Sequence, residues 1–236
     1  MPEPVINDMS PLAPARSRVY ELLASVYNLL PDTDFVTTVV NQDIRSLLSS
    51  AIGDYPASEP QQKELEQGIQ ALDVFQRQAC AVNLEELITR LGIDRTRLFR
   101  GLKRGYGPPP PYESVYMGGH TVMGESALDV KKAYSSSGYL PQMQNNEPPD
   151  YIGIELDFLR FLCSGEAEAW GENDHGKAFD LLQKEKDFLQ SHVATWAPKF
   201  CEEVINHARE DFYQGIAKLN RAFILIEAER LQGLTV

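Results

Sequence analysis

The chain has 236 residues, 43% of them hydrophobic, which is enough for one well-filled core and favours a single globular domain. Its 34 acidic and 22 basic residues give a formal net charge of -12, which repels a phosphate backbone and argues against nucleic acid as a partner. Three widely spaced cysteines, Cys80, Cys163 and Cys201, form no CxxC pair. This spacing argues against a disulfide framework and a clustered zinc site, and favours a reducing cytoplasm.

The first residues, MPEPVINDMSPLAPA at 1–15, are predicted to be a mobile leader before a helical domain at 16–236. They lack the basic start and apolar core of an export signal. Apolar runs such as the one at 222–226 are too short to cross a bilayer. We therefore expect a cytoplasmic protein without stable membrane insertion.

Apolar residues at three- and four-residue spacing predict amphipathic helices in the first part of the chain. The first helix is expected to end at Pro31 and to carry on one face Val19, Leu22, Leu23, Val26, Tyr27 and Leu30. The same periodicity continues over 35–48, and DYPASEP then supplies a turn before a helix over 61–82. Asn83 and Glu86 have the spacing of a capping box for the next helix.

The segment GYGPPPPYESVY at 105–116 divides the chain into helical halves of about 16–104 and 117–236. In the second half, periodicity predicts helices over 125–134, 150–169, 177–196 and 198–231, the last with a break near His207. No alternating apolar and polar run is long enough to indicate a strand. The predicted fold is an all-α, single-domain helical bundle with a rigid proline-rich connection between its halves.

The four prolines at 108–111 form a short, stiff, extended segment without amide donors. They are followed by Tyr112, Glu113 and Tyr116, two aromatic residues flanking a carboxylate. Such a group is suited to an apolar, positively charged peptide. The alternative is a plain interhelical linker whose tyrosines cover the core, and composition alone favours that interpretation.

A second distinctive stretch, EPPDY at 147–151, leads into the helical sequence IGIELDFLRFL. Asp150 is placed to cap that helix or to lie in its first turn, where a carboxylate accepts unpaired backbone amides. Glu147 and Glu155 add negative charge near the same helix start, more than capping requires.

Together, the two stretches resemble the TorD/DmsD/NarJ family of cytoplasmic chaperones for molybdenum-containing oxidoreductases. In that family a first segment ends in a proline, an aromatic residue and SVY, and a second reads E-x-P-D-H before a helix with L-x-F-L spacing. The resemblance extends over most of the chain, from RVYELLASVYNLL to LLQKEKDFLQSHVATWAPKF. The usual histidine is Tyr151 here, which donates a hydrogen bond but does not change charge near neutral pH.

The resemblance implies a TorD-like bundle that is not an enzyme. It implies binding to the catalytic subunit of a molybdenum oxidoreductase through that subunit's twin-arginine signal peptide, before export. Two arginines followed by an apolar stretch require carboxylates beside an apolar groove. The signal-peptide site is expected to comprise Tyr112, Glu113, Tyr116, Glu147, Pro148, Pro149, Asp150, Tyr151 and Glu155. The oligomeric state stays open between a monomer and a domain-swapped dimer.

Motifs for other chemistry are incomplete. ENDH at 172–175 has Glu-x-x-His spacing but no second copy, and His192 and His207 lack a second ligand one turn away, so no metal site is expected. No phosphate-loop or nucleophile-elbow motif occurs, so we predict no cofactor and no catalytic residues. The alternative function is a small helical enzyme or cofactor carrier using a pocket near Asp150.

Overall fold

A computed structural model describes residues 9–101, 107–118, 125–141 and 147–234. The α-helices in these ranges are α1 (Ala13–Asn28), α2 (Thr33–Val40), α3 (Ile44–Ile52), α4 (Glu59–Ala81), α5 (Leu84–Phe99), α6 (Glu113–Tyr116), α7 (Glu125–Ser136), α8 (Ile152–Gly171), α9 (His175–Phe188), α10 (Ala194–His207) and α11 (Asp211–Gln232). A π-helical turn, Leu189–Val193, joins α9 to α10. The all-α class is confirmed. Within the described ranges, no helix combines the length and the apolar character needed to cross a membrane.

The main helix contacts link the two halves of the sequence. α1 lies against α8 and α3, and α4 lies against α11, which also contacts α10. The α4–α11 crossing is close because it is built on glycines: a Cβ atom on Gly68 would lie 2.6 Å from Leu219 Cδ2, and one on Gly215 would lie 3.0 Å from the Gly68 carbonyl oxygen. The helices before and after the proline run therefore share one core.

The start and end of α1 differ from the predicted bounds. The helix begins at Ala13, inside the predicted leader at 1–15, and Met9 is buried; residues 1–8 lie outside the described ranges. The helix ends at Asn28, and Leu30 is 65% exposed. The predicted place of Leu30 on the apolar face was wrong, because Pro31 keeps the residue before it out of helical geometry.

The capping box predicted at α5 is not formed. Asn83 caps this helix, but its side chain accepts a hydrogen bond from the backbone N–H of Glu85, without the reciprocal bond from Glu86. A complete capping box begins α4 instead, where the Ser58 backbone N–H donates to Gln61 Oε1 over 2.8 Å. Both residue pairs have the spacing that a capping box requires. The local backbone conformation decides which pair forms one.

The predicted boundary before Pro198 was also wrong. α10 passes through Pro198 and ends at His207, and α11 begins at Asp211, so the break near His207 is confirmed. A proline inside a helix removes one amide donor and crowds the carbonyl four residues before it. Here that carbonyl belongs to Ala194, which directly follows the wide π-helical turn. The helix is therefore already locally rearranged where the proline enters.

Candidate functional site

The structure brings the two distinctive stretches into direct contact. Tyr112 and Tyr151 form an isolated antiparallel β-bridge. The Glu113 N–H donates to the Asp150 carbonyl over 3.0 Å, and the Ile152 N–H donates to the Pro111 carbonyl over 3.1 Å. The rings of Tyr112 and Tyr151 pack with centroids 5.6 Å apart. YESVY and EPPDY are therefore one structural unit, which we call the motif junction (residues 109–116 and 147–155).

Asp150 caps a different helix from the one expected. Its side chain is fully buried, and Oδ2 accepts from the Ser114 backbone N–H over 3.0 Å, in the first turn of α6. The N-cap of α8 is Tyr151, which makes no side-chain capping bond. The Asp150 backbone carbonyl also accepts from the Glu113 N–H, so both polar groups of this residue face the first turn of α6 rather than α8. It joins the two stretches.

Two further carboxyl groups, on α6 and α8, are buried at the junction. The Glu113 carboxylate lies 3.0 Å from Nδ1 of His192, and Trp196 Nε1–H donates to Glu155 Oε2 over 3.0 Å. Burial raises the pKa of Glu155 well above its ordinary value, and the negative charge of Glu113 raises that pKa further; the Trp196 bond opposes the shift and Asp150 adds to it. This shift favours the protonated form of Glu155, in which the carboxyl group can donate a hydrogen bond to Glu113.

The accessible part of the junction is mainly aromatic and proline-rich. Tyr112, Tyr116, Glu147, Pro148 and Pro149 are half-buried. Tyr112 O–H donates to Glu147 Oε2 over 2.6 Å, and Tyr116 O–H donates to the Pro109 carbonyl over 3.1 Å. Glu147 therefore holds the Tyr112 ring in place, and the Pro109 carbonyl holds the Tyr116 ring.

The accessible charge at the junction is small. Of the four predicted acidic residues, Glu113, Asp150 and Glu155 are buried, and Glu147 is already paired with Arg100 at 3.3 Å. The structure therefore brings all the predicted site residues together, but it places three of the four carboxyl groups away from solvent. Asp150 accepts from a backbone amide of the junction, whereas Glu113 and Glu155 bond the side chains of His192 and Trp196.

Tyr151 occupies the position of the family's usual histidine. It is 4% exposed, and its O–H donates to the Tyr27 carbonyl in α1 over 2.7 Å. Burial raises the pKa of Tyr151 to about 12. This residue is therefore a permanently neutral donor that fastens the start of α8 to the end of α1.

Sequence reasoning missed a buried ion cluster at the other end of α1. The Arg16 guanidinium is fully buried; Nη1 bonds Glu166 at 2.8 Å, Nε bonds Glu227 at 2.5 Å, and Nη2 bonds Glu185. Arg230 pairs with the second oxygen of Glu227 at 2.8 Å. The signal was present: Arg16 lies one turn before Val19 on the predicted apolar face, where a charge needs buried partners.

The same cluster contains three potential metal ligands, since atoms of Cys163, Glu166 and Glu185 lie within 4.8 Å of one another. Arg16 bonds both carboxylates, so a cation already fills the space between them. Cys163 is a free thiol that donates to Glu185 over 3.2 Å, and burial raises its pKa. The donor set therefore serves an arginine rather than a metal ion.

The ENDH stretch forms the turn between α8 and α9. Asn173 has a positive φ of 59°, and Asp174 caps α9 by accepting from the Lys177 N–H over 3.0 Å. Trp170 is half-buried beside this turn, and its Nε1–H donates to Glu166. The polar indole edge reaches its carboxylate there while the ring covers the end of α8.

Asp150→Ala leaves the buried Ser114 N–H without an acceptor, so we expect a loss of about 1–3 kcal/mol in the free energy of unfolding, measured by urea denaturation. Asp150→Asn keeps an acceptor oxygen and is expected to recover most of this loss. Equal losses in the two variants would contradict a capping role and would point to the charge instead.

Comparison with known proteins gives the family. The family model described as nitrate reductase delta subunit matches residues 60–202. Chaperone protein TorD of Vibrio cholerae is 26% identical over 221 residues, covering 93% of each chain. The Tat proofreading chaperone DmsD of Salmonella typhi is 30% identical over 115 residues, covering 48% of this chain and 50% of that one. A perchlorate reductase assembly chaperone protein of Dechloromonas aromatica is 28% identical over 126 residues, covering 52% of this chain and 55% of that one.

These relatives are named as chaperones and not as enzymes. The matched region of the family model contains the whole motif junction, from the proline run to the first turn of α8. The resemblance inferred from GPPPPYESVY and EPPDY is thereby confirmed. The family model covers more than half of the chain. The chain therefore belongs to the nitrate reductase delta subunit family, the family of the TorD- and DmsD-type chaperones.

Proposed function

We propose that this protein is a cytoplasmic assembly chaperone. It binds the twin-arginine signal peptide of the catalytic subunit of a molybdenum oxidoreductase and holds that subunit until its cofactor is inserted. It catalyses no reaction of its own. The observation that carries the proposal is the direct pairing of YESVY with EPPDY, in a chain whose relatives are named for chaperoning and Tat proofreading.

The roles of the junction residues follow from their burial. The half-buried Tyr112, Tyr116, Glu147, Pro148 and Pro149 form the part that a peptide can touch. Aromatic rings and prolines offer a rigid apolar surface at low entropic cost, and tyrosine rings also attract guanidinium groups. The buried acidic residues hold this surface in shape. The net charge of -12 promotes encounter with a basic peptide.

The alternative of a small enzyme or cofactor carrier requires an accessible pocket at Asp150 and Tyr151. Asp150 is fully buried and Tyr151 is 4% exposed, so neither side chain can reach a substrate in this conformation. Each already makes a defined hydrogen bond, to the Ser114 N–H and to the Tyr27 carbonyl. No observation favours the alternative.

The proposal is tested by purifying the tagged chain from its own cytoplasm, with the client operon expressed, and identifying co-purified proteins by mass spectrometry. We expect one large oxidoreductase subunit carrying a twin-arginine sequence. Its recovery should fall severalfold for the double variant Tyr112→Phe/Glu147→Gln, which removes the 2.6 Å bond at the accessible surface. Glu172→Gln, an exposed carboxylate at the far end of α8, serves as the matched control. Absence of any such subunit from the wild-type eluate would reject the proposal.

A further inference from the structure

A groove lies between α1 and α2, beside the motif junction but separate from it. It has a volume of about 640 Å³. Its apolar lining includes the buried Leu22, Phe35 and Val39, together with Leu29 and Leu30, which are 38% and 65% exposed. We call this the α1–α2 groove. It presents apolar side chains to solvent at the point where α1 ends.

The rim of the groove is acidic and accessible. Among the described residues that line it, Glu21, Asp32 and Asp34 are acidic and exposed, and Arg18 is the one basic residue. This contrasts with the motif junction, where the carboxyl groups are buried or paired with Arg100. The accessible carboxylates that a basic peptide needs therefore lie at the α1–α2 groove, next to apolar side chains.

The groove is firmly joined to the motif junction. Asn28 lines the groove, and its Nδ2–H donates to the Gly153 carbonyl in the first turn of α8 over 2.9 Å. A Cβ atom on Gly153 would lie 2.2 Å from Asn28 Oδ1, so this approach requires glycine. Tyr151, two residues earlier, bonds the Tyr27 carbonyl. A peptide chain leaving the junction over the start of α8 thus meets the groove next.

We propose that the α1–α2 groove is a second docking site for the client's signal peptide, with a basic residue against Glu21 and Asp34 and an apolar side chain against Leu30. The inference rests on the proposed function and extends it, because it places part of the peptide outside the two motifs. The occupant follows from charge: an acidic rim around an apolar floor suits a segment that is both basic and apolar.

The test uses a fluorescein-labelled synthetic peptide with two adjacent arginines followed by a leucine- and alanine-rich stretch, and measures its affinity by anisotropy. Leu30→Ser is expected to weaken binding about fivefold. Glu21→Lys/Asp34→Lys is expected to weaken it about tenfold at about 0.05 M salt, and less at about 0.5 M salt. The controls are Leu128→Ser, at a leucine that is 61% exposed on α7, and Glu172→Lys.

All four variants change only exposed positions, so circular dichroism melting should stay close to that of the wild type. Weakened binding in the groove variants, with wild-type affinity in the controls, supports the inference. Tight wild-type binding that the groove variants leave unchanged overturns it while the proposed function stands. Failure of the wild type to bind the peptide at all rejects both. Loss of a dimer in Leu30→Ser without loss of peptide affinity would assign the groove to a second copy and also overturn the inference.

Discussion

Arg16→Met is expected to lower the free energy of unfolding by about 3–5 kcal/mol. The wild-type guanidinium is fully buried and bonds Glu166, Glu185 and Glu227. Methionine fills a similar volume but leaves these carboxylates buried without their cation, and uncompensated buried charge is costly. For a chain of this size the loss corresponds to a melting temperature lower by about 10 °C or more.

The matched control is Arg45→Met, which breaks an ion pair with Glu66 whose side chains are 56% and 46% exposed. Exposed pairs contribute about 0–1 kcal/mol, so this variant should melt close to the wild type. Burial already raises the pKa of Glu185, and Arg16 opposes that shift. Without Arg16, folding therefore takes up a proton at Glu185, and the defect should be smaller at pH 5 than at pH 8. Equal, pH-independent losses in the two arginine variants would contradict this account.

Glu155→Gln is expected to stabilise the protein at neutral and alkaline pH. Burial raises the pKa of Glu155 in the folded chain, so the folded state keeps a proton that the unfolded state has released above about pH 4.5. The free energy of unfolding should then fall as pH rises, by up to about 1.4 kcal/mol per pH unit, until the folded group itself ionises. Glutamine accepts the Trp196 bond, donates to Glu113 and carries no charge to desolvate.

Urea denaturation at pH 5, 6, 7 and 8 measures this slope. The curves for Glu155→Gln and the wild type should lie close together near pH 5 and separate steadily toward pH 8. Glu172→Gln, at an exposed position, should follow the wild type throughout. Parallel curves for Glu155→Gln and the wild type would mean that Glu155 is ionised in the folded state. Hydrogen bonds from its neighbours, rather than a bound proton, would then stabilise the buried carboxylate.

Local sequence signals predicted the helices well and the positions of the helix ends less well. Apolar periodicity predicted the helical class, and the break near His207 was recognised between the last two helices. Pro198 was misread because a proline usually marks a helix boundary. Here α10 continues through Pro198, shortly after a π-helical turn. Leu30 was misread because periodicity continues past the point where Pro31 stops the helix.

The sequence by itself determined the family, since GPPPPYESVY and EPPDY are short, ordered motifs that need no neighbours to be recognised. It also identified the residues that meet at the motif junction. Only the tertiary structure decided what those residues do: Asp150 caps α6 rather than α8, and Glu113 and Glu155 are buried. The reason is that burial and hydrogen-bond partners depend on contacts between residues far apart in the chain. An acidic residue in a short motif can contact a peptide, a backbone amide or another acid. The motif itself does not show which of these contacts it makes.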